Sequence, residues 1–498
     1  MPGPAPGCRL RSRRLRPLDR RPARPRAQVE APLREADRLH ARHRHQQGGQ
    51  ASPRPPEVPL RPNRRRPRLR QGAPRRRLPA LHRRRRARPG GGVHPLRSRP
   101  LLGPVRAGAV DLSLRSEDEA FAAEARAWLE ANAVPTPAFA SVAEEIEWGR
   151  AWQARLAAAR WVAIAWPPEY GGRGASPVQV ALFNLEYARA GAPQPVNRVG
   201  INLVGPTLLA HGSAEQRRRW LPPILSAEEL WCQLYSEPGA GSDLASLATR
   251  AEPAQDGWLL SGQKVWTSYA GFARFGMCLA RTAAEADLPR HRGISCLAVD
   301  MTAPGVEVRP LVQITGDAEF SEVFLDEVFV PGHHLIGTVH GGWNVAGTTL
   351  AHERGTSFPF KEQVLHESYL AQLWGLAEER GLLDDPLVAD GLAQAFVELR
   401  ILRLHNWRTL SRLGKGEEPG PESSWVKLAW TGMTQHLSEL ALQIVGQASP
   451  LWAGAGANPG QGRWQRQWLW SKAASIAGGT SEIQRAIIAE RILGLPRG

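Results

Sequence analysis

The sequence predicts an α+β multidomain chain with an N-terminal helical domain, a small central β-domain and a C-terminal helical bundle. Three observations carry this reading. Capping signals and helical apolar periodicity fill residues 111–228, and strand-like runs broken by Gly, Pro and Asp fill 229–338. Long amphipathic stretches without intervening strands then fill 339–498, the pattern of a bundle. Residues 1–110 stand apart as an Arg- and Pro-rich extension.

That extension holds 31 Arg and no Lys against 5 acids, in a chain whose net charge is +17, so residues 111–498 are net negative. Clustered arginines would ordinarily suggest nucleic acid, because they neutralise phosphates and release counterions. Here the segment lacks any aromatic residue on which bases could stack, and its prolines recur too often for a helix. No nucleic-acid partner is expected. Three accounts remain: a disordered basic arm, a targeting segment, or an over-extended start of the reading frame. The abrupt change near Val110 favours the last, with Val110 as the initiator, and the segment is neither short nor amphipathic enough for a transit peptide. His40, His43 and His45 read as solvated chain rather than metal ligands.

In the first helical region, Ser116-x-x-Glu119 reads as a capping box, after which Phe121, Ala125, Trp128 and Leu129 share one helical face. A later helix is bracketed by Ser176 as N-cap, Pro177 in the first turn and Gly191 past the end, with further helix expected over 144–160 and 214–219. In the β-domain, strands are expected at 258–260, 264–266, 275–280, 294–299 and 322–330, with a hairpin turn at Asp256-Gly257. Helices return over 343–378, 386–413, 422–447, 465–475 and 482–492. Gly454-Ala455-Gly456 with Gly460 mimics part of a dinucleotide fingerprint, but it follows a helix rather than a strand.

Cys8, Cys232, Cys278 and Cys296 show no paired spacing, so neither a disulfide framework nor a zinc site is indicated. That fits a reducing, cytoplasmic setting. No apolar run approaches the length needed to cross a bilayer, and no membrane span is expected.

Two segments could carry chemistry. In Ser236-Glu237-Pro238-Gly239-Ala240-Gly241-Ser242-Asp243, the glycines allow backbone amides to approach a ligand and the serines offer hydroxyls; the plain alternative is a tight β-turn. In Ile476-Ala477-Gly478-Gly479-Thr480-Ser481-Glu482-Ile483-Gln484-Arg485, Ser481-x-x-Gln484 reads as a capping box, at a helix N-terminus that also suits phosphate. Together these segments resemble the acyl-CoA dehydrogenase flavoprotein family, and the resemblance covers about 111–498.

The resemblance implies FAD as cofactor and an acyl-CoA as substrate, dehydrogenated to the trans-2-enoyl-CoA with electrons passed to an electron-transfer flavoprotein. It places Leu234, Ser236, Trp266, Thr267 and Ser268 at the flavin, Ser242 on the coenzyme A arm, and Thr480 at the FAD pyrophosphate or ribose. Many family members carry a catalytic glutamate in a Tyr-Glu-Gly-Thr run; here the run is Ala477-Gly478-Gly479-Thr480, and Gly478 retains only a backbone N–H for the thioester oxygen. A second branch of the family carries the base on an earlier helix, immediately before an arginine. By that match Glu353 is the base and Arg354 contacts the substrate; a surface ion pair is the alternative. The family's Arg-x-x-Phe-Gly motif, which reaches the FAD of a neighbouring subunit, has no counterpart in 356–385. Its Gly-Gly-x-Gly loop appears as Gly446-Gln447-Ala448-Ser449, with Gln443 retained. The chain is therefore expected in a homo- or hetero-oligomer, with a non-catalytic or half-site subunit, or a related flavin oxidase or monooxygenase, as the other readings.

Overall fold

The computed structural model describes residues 114–137, 139, 141–283, 289–353, 357–417, 420–452 and 459–496, with the main chain alone at 353 and 357–359. The arginine-rich extension, Gly454-Ala455-Gly456 and Arg354 lie outside the described residues.

Among the described residues the first α-helices are α1 (Ser116–Asn132), α2 (Val142–Ala158), α3 (Pro177–Arg189), α4 (Gly205–His211) and α5 (Ala214–Ser226). Ala125 and Leu129 are buried, with Phe121 and Trp128 packed against the same core, as the periodicity of α1 implied. The cap of α1 differs from expectation. Arg115 holds the extended N-cap backbone and Ser116 is already helical, so no side chain caps the helix; Glu117, Asp118 and Glu119 complement its dipole instead. The α3 brackets hold: Ser176 and Gln179 exchange the two capping-box hydrogen bonds, and Gly191 turns away with φ 60°. α5 runs past residue 219 to Ser226 despite Pro222 and Pro223.

The eight-stranded sheet comprises β1 (Trp231–Leu234), β2 (Arg250–Ala254), β3 (Gly257–Ser268), β4 (Phe275–Arg281), β5 (Ile294–Asp300), β6 (Val306–Leu311), β7 (Phe320–Pro331) and β8 (Leu335–Ile336). Its order is β6-β7-β3-β2-β4-β5-β8, with β1 pairing β4 in parallel. Alternation places Phe275, Met277 and Leu279 of β4 in the core shared with the helices, while Cys278 and Ala280 enter the core on the opposite face. A strand buried on both faces reads as a continuous apolar run, which is why β4 and β5 were visible in the sequence. The runs at 258–260 and 264–266 are one strand, β3, and β1, β2, β6 and β8 were not anticipated. In the β2–β3 hairpin the left-handed residue is Asp256, φ 61°. Gly257 already belongs to β3, where a Cβ would meet the Val330 carbonyl oxygen at 2.3 Å.

The last region contains α6 (Gly342–Glu353), α7 (Ser357–Glu379), α8 (Pro386–Gly414), α9 (Glu422–Val445), α10 (Arg463–Ser471) and α11 (Ser481–Ile487), the last continued by a π turn to Ile492. The expected stretch 343–378 is thus two helices, and 465–475 is α10 followed by a 3-10 turn. Leu373 of α7, Leu392 and Leu402 of α8 and Leu437 and Ile444 of α9 share one bundle core. Truncating Leu373 to alanine in such a core costs about 2–5 kcal/mol. Among the described residues no helix is long and apolar enough to cross a membrane, no group of His, Cys, Asp and Glu could hold a metal ion, and Cys232, Cys278 and Cys296 are buried free thiols.

Candidate active site

β1 delivers the chain into the turn 236–243. The turn closes with reciprocal backbone hydrogen bonds between Glu237 and Ala240, leaving Gly239 and Gly241 with open space where a Cβ would stand. The Ser236 carbonyl accepts from Val265 N at 2.9 Å, so the turn is tied directly to β3. Ser242 is exposed, whereas Leu234 is wholly buried in the sheet core. A cavity of about 270 Å³ lies beside the turn, lined in part by Glu237, Gly239, Thr249 and Gly262.

Beneath the turn, Glu237 and Lys264 form a buried ion pair, Nζ to Oε1 2.7 Å. Lys264 also donates to the Leu279 carbonyl at 2.7 Å, and Glu237 accepts from the backbone N–H groups of Ala248 and Thr249. Burial pushes the Glu237 carboxyl upward, but the charge of Lys264 and the hydrogen bonds outweigh it and hold the group below the usual carboxylate range. Sequence reasoning missed this pair. Lys264 sits among Ser261, Gln263 and Thr267 in a strand of mixed polarity, so its burial, which calls for an acid partner, was not marked in the sequence.

β3 ends in an irregularity. Its register against β7 shifts between Lys264 and Thr267, and Trp266 adopts φ 59°, a left-handed conformation that an L residue takes only where the surroundings impose it. The bulge turns Trp266 outward: it is 61% exposed and lies edge-on to Phe320. The plain reading of this tryptophan as core is therefore excluded. Thr267 is fully buried and its hydroxyl has no hydrogen-bond partner, while Ser268 pairs with Phe320 in register.

α6 is seated on the sheet at Gly342, where a Cβ would meet the Ser295 backbone at 2.6 Å. Its Thr349 is bonded to Tyr235, the residue before the turn, and to Thr207 of α4, each at 2.9 Å. Glu353 is the last residue of α6, one turn after Thr349; its side chain, like Arg354, lies outside the described residues.

The C-terminal segment corrects the expected cap. Thr480, not Ser481, is the N-cap of α11, its hydroxyl accepting from Ile483 N at 3.3 Å. Gln484 is buried and donates to the carbonyls of Gly478 and Gly479, at 3.0 and 3.3 Å, rather than closing a box with Ser481. Gly478 and Gly479 have φ of 66° and 91°, the conformation that glycine permits. Gln443 is exposed on α9, against which α11 packs. Among the described residues, Val265 and Tyr235 join the turn, β3 and α6. Among the described residues, no hydrogen bond or ion pair joins Gln443, Gly478 or Thr480 to those three segments.

Family models described as acyl-CoA dehydrogenase N-terminal, middle and C-terminal domains match residues 115–228, 232–328 and 340–493. The chain is 44% identical over 389 residues to acyl-CoA dehydrogenase IpdE1 of Mycobacterium tuberculosis, covering 76% of this chain and 98% of that protein. Among solved structures, the Tcur3481-Tcur3483 steroid ACAD aligns with a TM-score of 0.68 at 29% identity, covering 78% of this chain and 100% of the other. The ChsE4-ChsE5 complex from Mycobacterium tuberculosis aligns with a TM-score of 0.67 at 32% identity, covering 78% and 99%.

Proposed function

Because this chain belongs to the acyl-CoA dehydrogenase family of oxidoreductases, we propose that it converts an acyl-CoA thioester to the trans-2-enoyl-CoA, with FAD as its flavin and an electron-transfer flavoprotein as electron acceptor. The observation that carries the reading is the meeting of three segments: the glycine-rich turn after β1, the bulged end of β3 that exposes Trp266, and α6 anchored beside them.

The residues present suit a flavin. Trp266 offers an exposed indole face, and the buried Thr267 hydroxyl lacks a protein partner. In this reading Leu234 through its main chain, Ser236, Trp266, Thr267 and Ser268 hold the ring, while Gln443 and Thr480 serve the remainder of the FAD. When bound, FAD supplies the acceptor for the β-hydrogen and its electron pair. The work of the chain is proton control. Glu353 removes the α-proton, which the thioester carbonyl acidifies, and the α,β double bond forms as the β-hydrogen departs. The Gly478 N–H steadies charge on the thioester oxygen, and Ser242 and Arg354 hold the coenzyme A portion.

The test is anaerobic bleaching of the flavin spectrum by straight, branched and ring-bearing acyl-CoA thioesters. Ring-bearing members belong in the panel because one structural relative is named a steroid ACAD. Glu353→Gln is expected to keep FAD and lose turnover by about 10²–10⁴-fold; wild-type turnover in that variant removes Glu353 from the mechanism. A second reading, one subunit of a hetero-oligomer, is favoured by the missing Arg-x-x-Phe-Gly motif and by structural relatives named as pairs. A folded homo-oligomer that purifies without flavin supports it, and a yellow homo-oligomer opposes it.

A further inference from the structure

Three hydroxyls from three distant segments meet in the interior. Tyr235 directly follows β1, Thr207 lies on α4 and Thr349 on α6, and they are 4%, 0% and 0% exposed. The Thr349 Oγ1 stands 2.9 Å from both the Tyr235 hydroxyl and the Thr207 Oγ1, and the Thr207 hydroxyl donates onward to the Leu203 carbonyl at 2.7 Å. Thr349 also donates to the Val345 carbonyl of its own helix at 3.0 Å, as Thr207 does to Leu203, and either hydroxyl can donate in the contact between them. Around it Val204, Leu208, Val345 and Ala346 are all buried, and one more polar contact, His211 to Thr348 at 2.7 Å, joins the same two helices.

Apolar residues alone would let α6 slide along this seam at little cost. The two side-chain contacts that cross it, Tyr235–Thr349 and Thr207–Thr349, do not, because a shift of register breaks both. Thr349 sits one turn before Glu353, about 6 Å along the helix axis. At the other end of the run, Tyr235 directly precedes Ser236. The hydroxyls therefore set the spacing between the end of α6 and the start of the glycine-rich turn.

We propose that Thr349, acting through Tyr235 and Thr207, is a positioning residue for the dehydrogenation, holding the helix that carries the base in register with the turn at the flavin. This rests on Glu353 being the base, as read above. It concerns alignment: removal of the α-proton and departure of the β-hydrogen require the substrate to be addressed from two sides at once, and a displacement of about 1 Å is enough to cost on the order of 100-fold.

The experiment uses the flavin-loaded enzyme with an acyl-CoA that bleaches it. Thr349→Val is expected to lower kcat per flavin by about 10- to 100-fold while KM and the flavin spectrum stay close to wild type, and to shift the limb of the kcat–pH profile that reports the base. Thr349→Ser, which keeps the hydroxyl, restores kcat. Tyr235→Phe, a nearly isosteric loss of the donor, lowers kcat in the same direction, and its effect does not add to that of Thr349→Val. A purely structural role would reduce the folded fraction and leave per-flavin kcat and its pH profile unchanged; that result, in either folded variant, overturns the proposal. Wild-type turnover in Glu353→Gln overturns the base assignment itself. Lost turnover in Glu353→Gln beside normal kcat in folded Thr349→Val and Tyr235→Phe overturns only the positioning role.

Discussion

Lys264 and Glu237 lie 2.7 Å apart, Nζ to Oε1, buried beneath the turn 236–243. The pair couples the middle of β3 to the loop that follows β1, the two segments of the candidate site within the sheet. Lys264→Met leaves a buried carboxylate without its counter-ion and is expected to cost about 3–5 kcal/mol, measured by chemical denaturation. Replacing both residues by apolar ones does not restore stability. The Glu237 carboxylate also receives the Ala248 and Thr249 amides, which would then be buried without acceptors.

The same carboxylate gives a pH dependence of known sign. Burial raises its pKa, Lys264 and the hydrogen bonds lower it by more, and the folded value ends below the unfolded one. The unfolded chain therefore binds the proton more readily, so the contribution to stability is complete above the unfolded pKa and is lost as pH falls through the folded one. Denaturant midpoints measured at successively more acidic pH are expected to fall less steeply in Glu237→Gln than in wild type.

Trp266 separates binding from folding. With Trp266 61% exposed, Trp266→Ala removes little buried area, and the unfolding free energy from denaturant titration is expected to change by no more than about 0.5–1 kcal/mol. Flavin affinity, measured by titrating the stripped protein, is expected to fall about 10-fold or more, the loss of roughly 1.4 kcal/mol of stacking. Unchanged affinity would place the flavin elsewhere.

Gly479 is constrained twice. Its φ is 91°, and a Cβ there would meet the Gln484 amide nitrogen at 2.7 Å. Gly479→Ala is expected to destabilise the turn before α11 by about 1–2 kcal/mol from backbone strain, and by more if the Gln484 hydrogen bonds break. Hydrogen exchange of the α11 amides would register the loss locally.

Elements with a strong local signature were legible and those without it were not. Ser176, Pro177 and Gly191 announce α3, and the unbroken apolar runs of β4 and β5 announce strands buried on both faces. β2 and β6 are short, partly polar and each contains a proline, Pro253 and Pro310, which argues against a strand, and the alternation of β6 spans only Val306 to Arg309. At Thr480-Ser481 either hydroxyl could cap, and the backbone placed Thr480 outside the helix and Ser481 inside it. In the candidate site, the turn's glycines and the tryptophan were visible as residue types in sequence. The buried partners of Lys264 and Thr349 were not.

The order of helices, sheet and bundle was determined by the sequence alone, because capping and apolar periodicity act within a few residues. Only the tertiary structure decided that Trp266 stands in the open, since a one-residue bulge against β7 reverses its face. It also decided which hydroxyls meet. Tyr235 and Thr349 are 114 residues apart, Thr207 and Thr349 are 142 apart, and pairings at that distance follow from how whole elements pack, which no local pattern encodes.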